Sequence, residues 1–118
     1  MGNSITNNVK IGTIGELFVQ LRLLEMGVQS APPIKDSGND LIAIRGEVVK
    51  FIQIKTTENN SWDLSSLPEV YHLVALVKLE IEDSGISFDK SKIYFIEKGQ
   101  SIGKKEILTN ELVKRIWE

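Results

Sequence analysis

Apolar residues recur first with the spacing of a helix. Between Val9 and Met26 they lie three and four residues apart, which is typical of an amphipathic helix, and Gly27 is a suitable residue to end it. A helical wheel predicts that the apolar face centres on Ile14, Leu17, Phe18 and Leu21. Residues 1–8, which precede the helix, are mostly polar, and we expect them to be loose.

Four runs rich in β-branched and apolar residues follow and predict strands. The first two are joined by the short turn Arg45-Gly46-Glu47 and so form a hairpin. A second helix, with Thr109 as its cap, ends the pattern. The predicted elements after the first helix are Leu41–Ile44, Val48–Thr56, Tyr71–Ile81, Lys92–Glu97 and the helix Thr109–Trp117. This order predicts an α/β fold with a single mixed sheet flanked by helices, in one domain over residues 1–118.

Composition excludes several kinds of site. At 118 residues, with 42% apolar and 25% charged residues, the chain has the make-up of an ordinary globular protein with one core. It has no cysteine, which excludes disulfides, thiolate metal sites and thiol nucleophiles, and it has one histidine. Any metal would therefore be held mainly by oxygen, which favours Mg²⁺, Mn²⁺ or Ca²⁺.

Charge and hydropathy limit the expected partners. Fourteen basic and sixteen acidic residues give a net charge of −2, so DNA binding would need a local patch rather than an attraction for the whole protein. No apolar stretch approaches the ~20 residues of a membrane span, and the polar start is unlike a signal peptide. We therefore expect a cytoplasmic protein that does not bind membranes.

Polar side chains interrupt the second predicted strand. Gln53 and Lys55 occupy alternate positions among valines and isoleucines, so they share one face of a central strand. An amide and an ammonium are costly there without partners. Because the hairpin turn is short, Asp40 at the start of the first strand is expected to lie beside them. The alternative for Asp40 is an Asx-type turn residue, and a buried ion pair between Lys55 and Asp40 would be a purely structural use of the cluster.

Glu16 is a fourth candidate. On the wheel its neighbours are Gly12, Val19 and Leu23, which is an unusual setting for a surface carboxylate, although a first-turn Glu favoured by the helix dipole is the plain alternative. A carboxylate and an amide oxygen suit a hard divalent ion that clamps a phosphate, and Lys55 is placed to orient or deprotonate a water or to neutralise developing charge. The set fits phosphodiester hydrolysis.

These residues resemble the PD-(D/E)XK nuclease superfamily. The matching features are a helical Glu, then Gly-Asn-Asp-Leu-Ile-Ala-Ile (38–44), then Ile-Gln-Ile-Lys-Thr-Thr (52–57). The variant with Gln as the second ligand, as in Mrr-like and Holliday-junction-resolvase-like nucleases, is the most similar. The resemblance implies a restriction-endonuclease-like fold, with Asp40, Gln53 and Glu16 holding Mg²⁺ or Mn²⁺ and Lys55 as the catalytic lysine. No Pro precedes Asp40 directly, and Gln53 stands where many members have an acid.

Other residues have weaker claims. Asp36 is second to Asp40 for the metal position. Thr56, Thr57 and Trp62 are candidate DNA contacts, but the threonines fit a strand end without such a role, and Trp62 is equally suited to a dimer contact or to covering the sheet. The lone His72 fits a structural role better than a catalytic one.

The resulting hypothesis is a metal-dependent DNA endonuclease of the restriction, homing, junction-resolving or repair type. One domain of this size has room for one active site, so cutting both strands of a duplex calls for a homodimer or higher oligomer. The alternative is a nuclease-like module that binds DNA or a protein without cutting.

Overall fold

Six strands form one mixed sheet against which two helices pack. The computed structural model describes residues 5–34 and 40–118. The elements are α1 (Asn7–Glu25), β1 (Gln29–Ala31), β2 (Leu41–Arg45), β3 (Val48–Thr57), β4 (Leu73–Glu82), β5 (Gly85–Glu97), β6 (Glu106–Ile107) and α2 (Asn110–Ile116). A short 3₁₀ turn, Ile102–Lys104, precedes β6. The prediction of one mixed sheet flanked by helices is confirmed.

The strands lie in the sheet in their chain order, and every neighbouring pair is antiparallel except β3 and β4. That parallel pair runs from Ile52 opposite Leu73 to Thr57 opposite Lys78. The chain between β3 and β4 therefore has to cross from one end of the sheet to the other. Because β3 pairs with β2 on one side and with β4 on the other, it lies inside the sheet, as its two apolar faces predict.

Each face of the sheet has its own apolar cluster. On the first face, α1 and α2 pack on the inward side chains of the strands, including Ile52, Ala75 and Val77. On the second face, Val74, Leu76 and Ile96 are covered from the crossover segment 58–72. The residues that pack on that second cluster are Trp62, Leu64, Leu67, Tyr71 and Tyr94.

The buried face of α1 differs from the predicted one. Its fully or nearly buried residues are Ile11, Gly15, Phe18, Val19 and Leu23. Leu17 and Leu21, which were expected at the centre of the apolar face, are 58% and 55% exposed. Apolar residues occur on two sides of this helix, so periodicity alone does not say which side meets the sheet. Asn7 and Asn8, which were expected in the loose start, are the first residues of the helix, and the Thr6 side chain caps it by accepting a hydrogen bond from the N–H of Val9, three residues later.

The remaining differences lie at the edges of the sheet. The two edge strands β1 and β6 have three and two residues and were not predicted, since such short segments carry no alternating pattern. Strand β5 begins at Gly85, earlier than the predicted Lys92, and follows β4 directly as a long hairpin. The cap of α2 is Thr109, as predicted, and its side chain accepts a hydrogen bond from the Leu112 N–H.

Candidate functional site

The site lies at a step in the sheet beside β3. Strand β2 begins at Leu41, opposite Ile52, whereas β3 continues to Thr57 with β4 on its other side. Asp40 lies at this step and continues the pairing. Its N–H donates to the Ile52 carbonyl at 3.1 Å, and its Oδ2 accepts from the Ile54 N–H at 2.7 Å. The carboxylate is thus fixed against the backbone of β3, because a charged acceptor takes over a hydrogen bond of the strand.

Asp40 and Gln53 are in direct contact, as the hairpin geometry predicts. The same Oδ2 of Asp40 accepts from Nε2 of Gln53 at 3.1 Å. Gln53 is only 9% exposed, and its Oε1 is buried with no hydrogen-bond partner among the described residues. Because the carboxylate of Asp40 can only accept, the amide atom that faces it is the nitrogen. The carbonyl oxygen of Gln53 is then the atom without a donor.

Glu16 approaches from α1. Its flanking residues Val19 and Leu23 are fully buried, so the apolar setting indicated by the wheel is present. Burial of the carboxylate raises the pKa of Glu16, and the negative charge of Asp40 raises that pKa further. The two carboxylates are therefore close enough to repel each other, and a cation between them would relieve that repulsion.

Gly15 allows α1 to come this close. A Cβ built on Gly15 would lie 1.9 Å from Oγ1 of Thr56, a distance at which no side chain fits. Thr56 Oγ1 is itself buried without a hydrogen-bond partner in the described part of the chain. Sequence analysis did not single out Gly15, although a glycine inside a helix is unfavourable enough to suggest a packing reason.

Lys55 is half-buried on the same side of β3 as Gln53. The ion pairs between described residues do not include it, so the proposed structural pair between Lys55 and Asp40 is not present. Two hydrogen bonds from Ser65 lower the pKa of Asp63, and the positive charge of Lys55 contributes in the same direction. Asp63, to which no sequence pattern points, therefore lies within electrostatic range of the lysine.

These groups share one cleft of about 500 Å³ between α1 and the end of β3. Its lining includes Glu16, Asp40, Gln53 and Lys55. Among residues 5–34 and 40–118 no three His, Cys, Asp or Glu side chains form a metal-binding group. The oxygen donors named from the sequence are two carboxylates and one amide carbonyl, and the exposed Glu58 also lines the cleft. The buried Oε1 of Gln53 lacks a partner among the described residues. This donor set fits a hard divalent cation.

The three residues that were candidates for DNA binding interact with other parts of the fold. Thr56 faces α1 at Gly15, and Thr57 Oγ1 donates to Oδ1 of Asn59 at 2.9 Å. Trp62 packs edge-on to Tyr94 and donates from Nε1 to the Val77 carbonyl at 3.0 Å. This position of Trp62 fits the role of covering the sheet better than a DNA contact or a dimer contact.

His72 has a structural role outside the cleft. His72 Nδ1 accepts from the Phe51 N–H at 2.9 Å, which is a structural role. Burial, with the nearby charges of Lys50 and Lys98, lowers the pKa of His72, so its imidazole stays neutral and able to accept. Asp36 lies outside the described residues.

Comparison with known proteins finds a structural relative and no sequence relative. No protein-family model matches the chain, and no curated protein matches it. A bacterial homing endonuclease, I-Ssp6803I, has a similar structure, with a TM-score of 0.50 at 12% identity over 95% of this chain and 94% of that one. No helix in the described ranges is long and apolar enough to cross a membrane. The chain therefore shares its fold, over almost its whole length, with a structure of a homing endonuclease.

Proposed function

We propose that this protein is a divalent-metal-dependent DNA endonuclease that hydrolyses phosphodiester bonds. It would belong to the PD-(D/E)XK superfamily as a Gln-containing variant. The observation that carries the proposal is the Asp40–Gln53 pair, whose buried amide oxygen has no donor and lies in a cleft with Glu16 and Lys55. The fold shared with a homing endonuclease supports the same activity.

Asp40, Gln53 and Glu16 are the residues that would hold the cation, with Mg²⁺ or Mn²⁺ the ions of matching chemistry. When bound, such an ion polarises a phosphate oxygen and makes a water more acidic. Asp40 is suited to the first position because the Ile54 N–H and the Gln53 amide hold its carboxylate in place. Gln53 contributes a neutral oxygen, so the three proposed ligands carry at most two negative charges.

Lys55 supplies a positive charge beside these ligands without being neutralised by an ion pair with any described residue. It is free to orient an attacking water or to stabilise the negative charge that develops on the phosphate in the transition state.

The partner is double-stranded DNA, and a second copy of the chain would supply the second active site needed to cut both strands. An inactive module that only binds DNA or a protein is the second candidate. It is favoured by the neutral Gln53 in place of an acid and by the acidic pI of about 5.5. That candidate predicts binding that does not depend on a divalent ion and gives no products.

Plasmid nicking tests the proposal. Supercoiled DNA incubated with the wild-type protein and Mg²⁺ or Mn²⁺ should be nicked, and EDTA should stop the reaction. Lys55→Ala should reduce the rate by about 10²-fold or more, the usual loss for an acid–base or electrostatic group. Lys50→Ala, in the same strand, is the matched control and should retain activity.

Two results would overturn this assignment. Nicking that is unchanged in Lys55→Ala would remove the chemistry described for the cleft. Metal-independent DNA retardation without any nicking by the wild-type protein would favour the binding module instead.

A further inference from the structure

The second face of the sheet, opposite the helices, carries lysines whose charges are not neutralised by ion pairs. Residues alternate between the two faces along a strand, and register partners on neighbouring strands share a face. Lys55 therefore lies on the face of its register partner Leu76, and Lys92 and Lys98 are in step with Ile96 of the same face. We define the lysine face as Lys55, Lys92, Lys98 and Lys105. The ion pairs between described residues include none of these four.

Two of the four lysines are held by tyrosines. Nζ of Lys105 lies 5.5 Å from the ring centroid of Tyr94, which packs on the second apolar cluster, and Nζ of Lys98 lies 5.1 Å from that of Tyr71. The ammonium of Lys98 also donates to the backbone carbonyl of Glu69. An aromatic ring or a neutral carbonyl attracts an ammonium without cancelling its charge. Both lysines are thus positioned and still able to attract an anion.

Lys92 has an unfavourable place in the sheet. It lies directly opposite Lys78 in the pairing of β4 with β5. Like charges in this arrangement destabilise an antiparallel pair. Glu80 offsets the charge of Lys78 through an ion pair of 3.0 Å, whereas Lys92 is exposed and has no ion pair with a described residue. A charge that costs stability and that no contact in the fold uses is typical of a functional position.

The carboxylates on this side of the sheet leave the β5 part of the lysine face positive. Glu80 and Glu82 at the end of β4 are each paired with a lysine outside the lysine face. From Lys92 to Lys98 the one acidic residue is Glu97, which alternation places on the other face. The other carboxylates on this side belong to the crossover segment 58–72 and are Glu58, Asp63 and Glu69. A chain of net charge −2 therefore has a local basic surface along β5.

The dimensions of the lysine face match a nucleic-acid backbone. Lys92 and Lys98 are six residues apart, which corresponds to about 20 Å of strand. Duplex DNA carries a negative charge about every 1.7 Å of its axis, so this length faces about twelve phosphates. Lys55 lies two strands away from β5 and also lines the cleft. The lysine face is thus continuous with the candidate active site.

We propose that the lysine face holds the phosphate backbone of double-stranded DNA and directs the duplex to the cleft. The choice of DNA as the polyanion rests on the proposed function. Because the whole protein is acidic, binding of DNA requires a local patch of this kind. Contacts to phosphates fix the position of a duplex but do not read its sequence. The lysine face therefore supplies binding that is strong in low salt and equal for unrelated sequences.

The salt dependence of DNA binding tests the proposal. Fluorescence anisotropy of a short labelled duplex in EDTA gives the association constant at increasing salt without any cutting. Lys92→Gln and Lys105→Gln should each reduce the slope of log K against log salt by about 0.9, the value for one lost phosphate contact. The double variant should reduce that slope by about 1.8. The loss of affinity should be the same for two unrelated sequences.

Three controls separate a phosphate contact from a change in net charge or in stability. Lys114→Gln, at an exposed position of α2 on the first face, removes the same charge and should leave the slope unchanged. Lys92→Arg keeps the charge and should keep the slope. The melting temperature of Lys92→Gln should be no lower than that of the wild type, because the substitution removes the repulsion from Lys78.

The lysine face would be overturned by a slope that is unchanged in both Lys92→Gln and Lys105→Gln, or by one that falls equally in Lys114→Gln. A wild-type chain that does not bind the duplex at low salt would also overturn it. These outcomes are separable from those of the proposed function. Binding with the predicted slopes but without nicking in Mn²⁺ would refute the activity alone. Nicking whose salt dependence is unchanged in the double variant would refute the lysine face alone.

Discussion

The Gln53 side chain is the most informative single group in the cleft. Its nitrogen is satisfied by Asp40, and its oxygen is buried without a donor among the described residues. Leaving a buried acceptor unsatisfied costs about 1–3 kcal/mol. A bound cation would recover that cost, which supports the proposal that the Asp40–Gln53 pair is a cation-binding site rather than a core contact.

Glu16 should make stability depend on pH. Because burial and Asp40 raise its pKa in the folded state, its contribution is fully present below the ordinary pKa of a glutamate and is lost as the pH rises through the higher folded value. In EDTA at neutral pH, Glu16→Gln should therefore be modestly more stable than wild type, and this difference should vanish near pH 4, the ordinary range of a glutamate.

Urea melts across this pH range measure the effect. Glu58→Gln, at an exposed position beside the same cleft, is the control and should show no comparable gain. A wild-type chain that is more stable than Glu16→Gln at neutral pH without metal would contradict the placement of this carboxylate.

At the scale of elements, the contact between α1 and β3 positions the helix carboxylate. Gly15 meets Thr56 with no room for a methyl group, whereas a Cβ added at Gly12, one turn earlier, would meet nothing within 4 Å. The two glycines are thus a matched pair. One is required by packing and the other is not.

Substitution of each glycine by alanine should have opposite effects. Gly12→Ala should stabilise the protein by up to about 1 kcal/mol, because alanine favours the helix. Gly15→Ala should destabilise it by about 1–3 kcal/mol and shift α1 away from β3. The pKa of Glu16, followed by NMR titration, should then fall toward its ordinary value, since the carboxylate leaves both its buried setting and Asp40.

A second substitution separates positioning from general damage. Thr56→Gly removes the three atoms that a Gly15 side chain would strike, so it should restore the raised pKa of Glu16 in the Gly15→Ala background. If Gly15→Ala leaves this pKa unchanged, the contact does not position Glu16.

Elements differed in how far the sequence determined them. Strand β3 was predictable because apolar residues on both of its faces require a covered, interior position, and the short turn at Gly46 fixed its pairing with β2. The buried side of α1 was not predictable, because leucines on the outer side of the helix have the same periodicity as the core residues. The close approach at Gly15 marks the side that meets the sheet, and it depends on Thr56, which is distant in sequence.

For the whole molecule, the mixed sheet and the meeting of Asp40 with Gln53 followed from the order of elements and the hairpin. The way in which the second face of the sheet is covered did not follow from the local sequence pattern. Trp62 lies in a polar loop of the sequence, yet the parallel pairing of β3 and β4 carries that loop across the sheet, where the indole packs on Tyr94. Long-range pairing of this kind is invisible to local pattern.

The proposed activity depends on a hard cation held in the cleft by Asp40 and Gln53. Titration of Mn²⁺ followed by electron paramagnetic resonance tests it most directly, because the signal of the free ion disappears on binding. We predict one strong site per chain, weakened about tenfold or more in Asp40→Asn and unchanged in Asp89→Asn, which lies on an exposed part of β5. Equal Mn²⁺ affinity in the wild-type protein and Asp40→Asn, or no binding by either, would refute this cation site.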